Sequence, residues 1–120
     1  MALSAEFIAY VTDQFSGVGA VTVKRMFGGG GVYLDGRMFA LVDDDVLYLK
    51  GGDNNRETLK KAGCKAFEPW PGHKMDYYSV PADVLEDRAQ LARWSQGALV
   101  AATSKTKKKS KPPIKANKRR

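Results

Sequence analysis

The chain has one cysteine, Cys64, and one histidine, His73, among its 120 residues. A lone cysteine excludes an intramolecular disulfide and any cysteine-rich zinc site, and it fits a reducing compartment. A lone histidine would need carboxylates to complete a metal centre, and a Cys64–His73 nucleophile pair has no oxyanion signature beside it. No catalytic residue, metal or cofactor is expected. Long apolar runs are also missing. Glu6 and Asp13 interrupt the one candidate near the N-terminus, so neither a signal peptide nor a membrane span is read there, and the expected setting is the cytoplasm.

Acids are missing from Thr103 to Arg120, a stretch that holds nine of the twenty Lys and Arg. Residues 1 to 102 keep eleven bases against thirteen acids, a body of net −2 beside a tail of +9. A polyanion would therefore meet a cationic arm rather than a basic globule. The arm consists of Lys105, Lys107, Lys108, Lys109, Lys111, Lys115, Lys118, Arg119 and Arg120, interleaved with Ser, Pro and Asn. Such a segment neutralises phosphates of DNA or RNA without reading bases. The alternative is a solubilising tail. Ile114 is its only large aliphatic residue, so residues 103–120 are expected to be disordered. Residues 1–102 are expected to form one domain, large enough to hold a core without a staple.

Within the domain, Ser4 is placed to cap a helix over 4–16 whose Phe7, Ile8, Val11 and Phe15 share a side, with Leu3 and Ile8 at staple spacing. Val21 to Phe27 reads as a strand. Asp35-Gly36, between Gly31–Leu34 and Arg37–Val42, needs positive φ twice in succession and predicts a type I′ hairpin. Counting outward pairs Leu34 with Arg37, Tyr33 with Met38 and Val32 with Phe39. That puts Val32, Phe39 and Leu41 on one face and Tyr33, Met38, Ala40 and Val42 on the other, and either face could pack inward. Asp43-Asp44-Asp45 turns into a strand at Val46–Leu49. A helix over 55–62 capped by Asp53 or Asn54 stops at Gly63. Strands follow at 65–67 and 75–80, with Pro69 to Gly72 as loop between them. A last helix starts at Pro81, with Asp83, Glu86 and Asp87 at its positive end, and covers the sheet.

Three features invite chemistry and are read as structure. Gly28 to Gly31 are followed by strand residues rather than by the helix that a phosphate loop requires, so they read as a bend or a close approach. The three aspartates of the turn aim in different directions. Tyr33, Tyr48, Trp70, Tyr77 and Tyr78 would stack bases only if the sheet exposed them, and Lys50 and Lys74 are the only bases beside them in sequence.

The run Arg25-Met26-Phe27-Gly28-Gly29 to Tyr33-Leu34-Asp35-Gly36-Arg37-Met38-Phe39, with Leu47–Lys50, Phe67–Pro71, Met75–Tyr78 and Trp94, resembles the N-terminal domain of the TfoX (Sxy) competence-regulator family over about residues 4 to 101. The resemblance implies a two-layer α+β domain, an antiparallel meander with helices on one face in the order α-β(3 or 4)-α-β(2)-α. It also implies a non-enzymatic bacterial cytoplasmic regulator that contacts a protein, such as transcription machinery. The best-known members, positive regulators of natural competence, carry a second, C-terminal domain where this sequence has its lysine-rich segment. The motif residues Arg25, Met26, Phe27, Gly28, Gly29, Tyr33, Asp35 and Gly36 are expected to be structural or partner-binding. Two functional readings remain: a regulator whose tail binds nucleic acid, and an interaction module of unrelated role.

Overall fold

A computed structural model of the chain describes residues 4–26 and 28–110, with 104–110 as backbone only. Helix α1 (Ala5–Gln14) runs into a 3-10 turn (Phe15–Gly17). Strands β1 (Thr22–Met26), β2 (Gly29–Leu34), β3 (Arg37–Asp43) and β4 (Val46–Lys50) follow. Then come α2 (Arg56–Lys61), β5 (Ala66–Trp70), β6 (His73–Ser79), α3 (Ala82–Leu85) and α4 (Arg88–Ser110). All strands pair antiparallel in one sheet of order β1-β2-β3-β4-β6-β5. The fold is α+β, as the sequence implied.

Local chemistry accounts for the element ends. The Ser4 hydroxyl accepts from the Phe7 N–H at 3.0 Å, satisfying one of the donors that a helix start leaves open. Asp45 accepts from the Ser4 N–H and hydroxyl at 3.0 and 3.1 Å, which sets a negative charge at the positive end of α1. Leu3, the other half of the expected staple, lies outside the described residues. Asp35 and Gly36 both have positive φ, 52° and 80°, so the hairpin is the type expected. Asp44 and Asp45 repeat the device at 52° and 56°.

Val11, Phe15, Leu91, Ala98 and Ala102 from the helices meet Val32, Phe39, Ala40, Val42, Leu47 and Leu49 from the sheet. These residues form one core between two layers. The hairpin register departs from simple counting. Leu34 faces Arg37 and Tyr33 faces Met38, but Val32 faces Ala40, because Phe39 is an extra residue on β3. In such a bulge two consecutive side chains stand opposite one partner, so Phe39 and Ala40 both join the core and Val42 follows. Leu41, grouped with Val32 by counting, turns to the opposite face.

Four other expectations change. Asp53 and Asn54 do not cap α2. Asn55 stands at the cap position, and its side chain accepts from Gly52 N–H and donates to the Lys50 carbonyl. Pro69 and Trp70 belong to strand β5, which is tolerable because β5 is an outer strand. The last helix breaks after Leu85, since the Asp87 carboxylate accepts from Ala89 and Gln90 N–H and starts a new helix. Finally, α4 does not end at Ala102: it continues through Thr103 to Ser110, within the segment expected to be disordered. Lys105, Lys107, Lys108 and Lys109 lie on this helical backbone. Lys111, Lys115, Lys118, Arg119 and Arg120 lie outside the described residues. Among the described residues no helix is long and apolar enough to cross a membrane.

Candidate functional site

The helices pack on one face of the sheet, so alternation presents the other side chains of each strand to the opposite face. Cross-strand pairing places Gly31 beside Leu41, Tyr33 beside Met38, Leu41 beside Tyr48, Lys50 beside Tyr77 and Phe67 beside Met75 there. This face is aromatic and sulfur-rich, with lysines set into it. The Lys24 ammonium lies 5.1 Å from the Tyr33 ring centroid, and that of Lys50 lies 4.8 Å from Tyr77. Each is at cation–π distance. The Tyr48 and Phe67 rings meet at a tilt of 58° with centroids 4.9 Å apart. Leu41, Lys50 and Tyr77 are nonetheless buried on this face.

These rings are therefore occupied by their own neighbours. A base-stacking platform needs open ring faces, and here lysines stand over Tyr33 and Tyr77. Burial, reinforced by Tyr33 and Asp76, pushes the Tyr77 hydroxyl up to about 12 from an ordinary 10.0. The folded state thus favours the neutral phenol. Its contribution to stability should be complete below pH 10 and be lost as pH rises toward 12. Urea midpoints measured across that window should fall less steeply in Tyr77→Phe than in the parent protein.

The motif residues do not converge on one spot. Arg25 and Met26 end β1, Gly28 (φ 82°) sits in the turn, and Gly29 begins β2. Phe27 lies outside the described residues. Tyr33 and the Asp35-Gly36 turn stand at the far end of β2, about 17 Å away at strand spacing. The glycines have separate reasons. A Cβ on Gly29 would lie 2.5 Å from the Val42 carbonyl oxygen, and one on Gly31 would lie 3.0 to 3.1 Å from side-chain atoms of Met26, Tyr33 and Met38.

Other candidate chemistry disperses. Cys64 is half-buried, and burial pushes its thiol up, away from the reactive thiolate. His73 stacks on Trp70 at 4.5 Å beside the β5–β6 turn. Among the described residues no three of His, Cys, Asp and Glu gather as a metal site would require. Sequence reading missed a cluster on the helix side of β6. There the Arg56 guanidinium donates to both carboxylate oxygens of Asp76 and to Asp53, and Asp76 also bonds Tyr78. Arg56 and Asp76 are twenty residues apart, and no spacing rule links α2 to β6.

The fold and its helix-free face define a class: a two-layer α+β domain whose sheet shows one aromatic, lysine-capped surface. The chain belongs to the TfoX N-terminal domain family, whose sequence model matches residues 13–102. A relative in Spirochaeta aurantia, described as an uncharacterized 12.7 kDa protein in the trpE 5′ region, is 34% identical over 116 residues, covering 94% of this chain and 96% of its own length. The DNA transformation protein TfoX1 of Aliivibrio fischeri is 35% identical over 51 residues, which are 42% of this chain and 24% of that protein. The match thus spans about a quarter of the transformation protein.

Proposed function

We propose that the chain is a non-enzymatic regulatory protein of the bacterial cytoplasm. Its domain contacts a protein partner, in the transcription machinery of a competence-type response, and its lysine-rich segment holds nucleic acid through phosphates. Family membership and the name of the Aliivibrio fischeri relative support the regulatory half. The observation that carries the other half is the segregation of charge: nine cations and no acid follow a body of net −2. Helix α4 carries buried Ala98, Ala101 and Ala102 in the domain and runs on to Ser110, which joins the first of those cations to the domain by continuous helical backbone. Weak phosphate contacts made by a tethered arm raise the local concentration of the domain at its partner on DNA.

The test is a salt titration on duplex DNA of the full chain and of a variant with its nine tail cations replaced by glutamine. If about six cations engage phosphates, the parent log–log slope is roughly −5 and little sequence preference accompanies it. The variant should lose most of that slope. Equal slopes and affinities would reject the arm and leave it as a solubilising segment.

A further inference from the structure

Strand β4 ends at Lys50, opposite Tyr77, and the Gly51 N–H makes one more bond, to the Asp76 carbonyl. Earlier residues of β6 and their partners on β5 therefore run past the end of the sheet as a two-stranded hairpin whose residues 68–75 are all exposed. Such a ribbon is marginal alone, and two contacts hold its tip. The Glu68 carboxylate accepts from the Gly72 N–H at 2.7 Å, where φ is 87°. The His73 ring lies 13° from parallel to the Trp70 indole, with 4.5 Å between centroids. Trp70 is still 59% exposed. Unlike Tyr33 and Tyr77 it has no lysine over it: one ring face rests on His73, and among the described residues no other ring or cation stands on the other. The hairpin thus presents a fixed, open aromatic face.

Cations begin beside the base of this hairpin. Ala101 of α4 packs on the loop after β4, where a Cβ on Gly52 would lie 2.9 Å from the Ala101 Cβ, and neighbouring Gly51 is bonded to Asp76. Helix α4 thus leaves the domain next to the hairpin. At helical rise the backbone of Lys105 to Lys109 stands roughly 6 to 12 Å past Ala101, and at strand rise the Trp70–His73 pair stands about 10 Å past Asp76. Lys74 is exposed on the hairpin itself, whereas the acids there are engaged, Glu68 by Gly72 and Asp76 by Arg56. We propose that Trp70 stacks an unpaired base, so that hairpin and lysine-rich segment together prefer single-stranded nucleic acid to duplex. This rests on the reading that the segment holds phosphates. An open ring face beside phosphate-binding cations is the combination by which single strands are held, and paired bases keep their faces inside the duplex. A second copy of this chain fits less well, because joining two copies through this hairpin brings two segments of +9 to one place.

The probes are labelled oligo(dT) and oligo(U), an abasic deoxyribose-phosphate strand of the same length and a duplex, each titrated with the full chain by anisotropy. The parent should bind oligo(dT) or oligo(U) about fivefold or more tighter than the abasic strand, the worth of one base–aromatic stack. Whichever of the two binds tighter assigns DNA or RNA. Trp70→Ala should hold both as weakly as the abasic strand. Its affinity for duplex and its salt slope should stay those of the parent, because an indole releases no counterions. Equal affinity of the parent for strands with and without bases would overturn the proposal, as would a Trp70→Ala protein that matched the parent on single strands. A loss on duplex as large as that on single strands would make the ring part of the hairpin's own fold. A variant that kept its oligonucleotide affinities and lost self-association in sedimentation would make the ring a contact for a second copy. Either result also overturns the proposal. The variant with nine glutamines separates the two readings. Any of these failures beside its lowered salt slope removes the stacking alone, whereas a Trp70-dependent preference for bases in a chain whose slope the glutamines leave unchanged removes the cationic segment alone.

Discussion

Truncating Phe39 to alanine should lower the unfolding free energy by about 3–5 kcal/mol, read from urea denaturation by tryptophan fluorescence. Phe39 is fully buried, and its ring meets Phe15 edge-on at a centroid distance of 5.2 Å and an interplanar angle of 67°. Two losses add: the transfer of the ring out of water and a cavity between the 3-10 turn and β3. The bulge makes that cavity hard to close, because Ala40 already occupies the adjacent inward position and is too small to move in. Phe15→Ala should cost a similar amount. The double variant should cost less than the sum by about 0.5–1.5 kcal/mol, the usual coupling of an edge-to-face pair. A loss from Phe39→Ala below about 1 kcal/mol, no more than an ordinary surface change produces, would place the ring outside the core. Domains of this size hold only about 5–15 kcal/mol in total, so this one ring is a large share of it.

That residue also shows where reading a sequence reaches its limit. The Asp35-Gly36 turn was legible because few residues tolerate two successive positive φ values, and the pairs closest to it followed directly. Counting failed at Val32 because alternation assumes one residue opposite one. Nothing local in Met38-Phe39-Ala40 announces a second inward residue. The same kind of non-local fact decided Pro69. Proline is excluded from inner strands and accepted on outer ones, and whether β5 is outer depends on β4 choosing β6 as its neighbour. Asp87 was read as one of several acids favouring a helix start, when its carboxylate caps a second helix outright. For the candidate site, Tyr33, Tyr77 and Lys50 were each visible in the chain. Their pairing into lysine-capped rings follows from cross-strand order.

Gly29→Ala is the substitution that separates architecture from function in the family motif. The added Cβ would sit 2.5 Å from the Val42 carbonyl oxygen and 3.1 Å from an Asp43 carboxylate oxygen. Real Cβ atoms do not come so near a backbone oxygen, and that oxygen belongs to a strand held by neighbours on both sides. Relief requires β2 and β3 to part, so the expected cost is about 3 kcal/mol, the upper end for overpacking a rigid site. The other glycines of the run provide an internal scale. At Gly28 nothing lies within 4 Å of an added Cβ, and only the φ of 82° opposes a side chain, a strain of about 1–2 kcal/mol. At Gly31 the obstacles at 3.0 to 3.1 Å are the Met26 methyl, the Met38 sulfur and a Tyr33 ring carbon, all side-chain atoms, of which the two methionines move aside at little cost and the ring must give by a few tenths of an ångström. Denaturation midpoints should therefore fall most for Gly29→Ala and less for the alanine variants at 28 and 31. A Gly29→Ala protein of parental stability that had lost its partner would reverse this assignment, because the glycine would then be a contact surface rather than a space left for Val42.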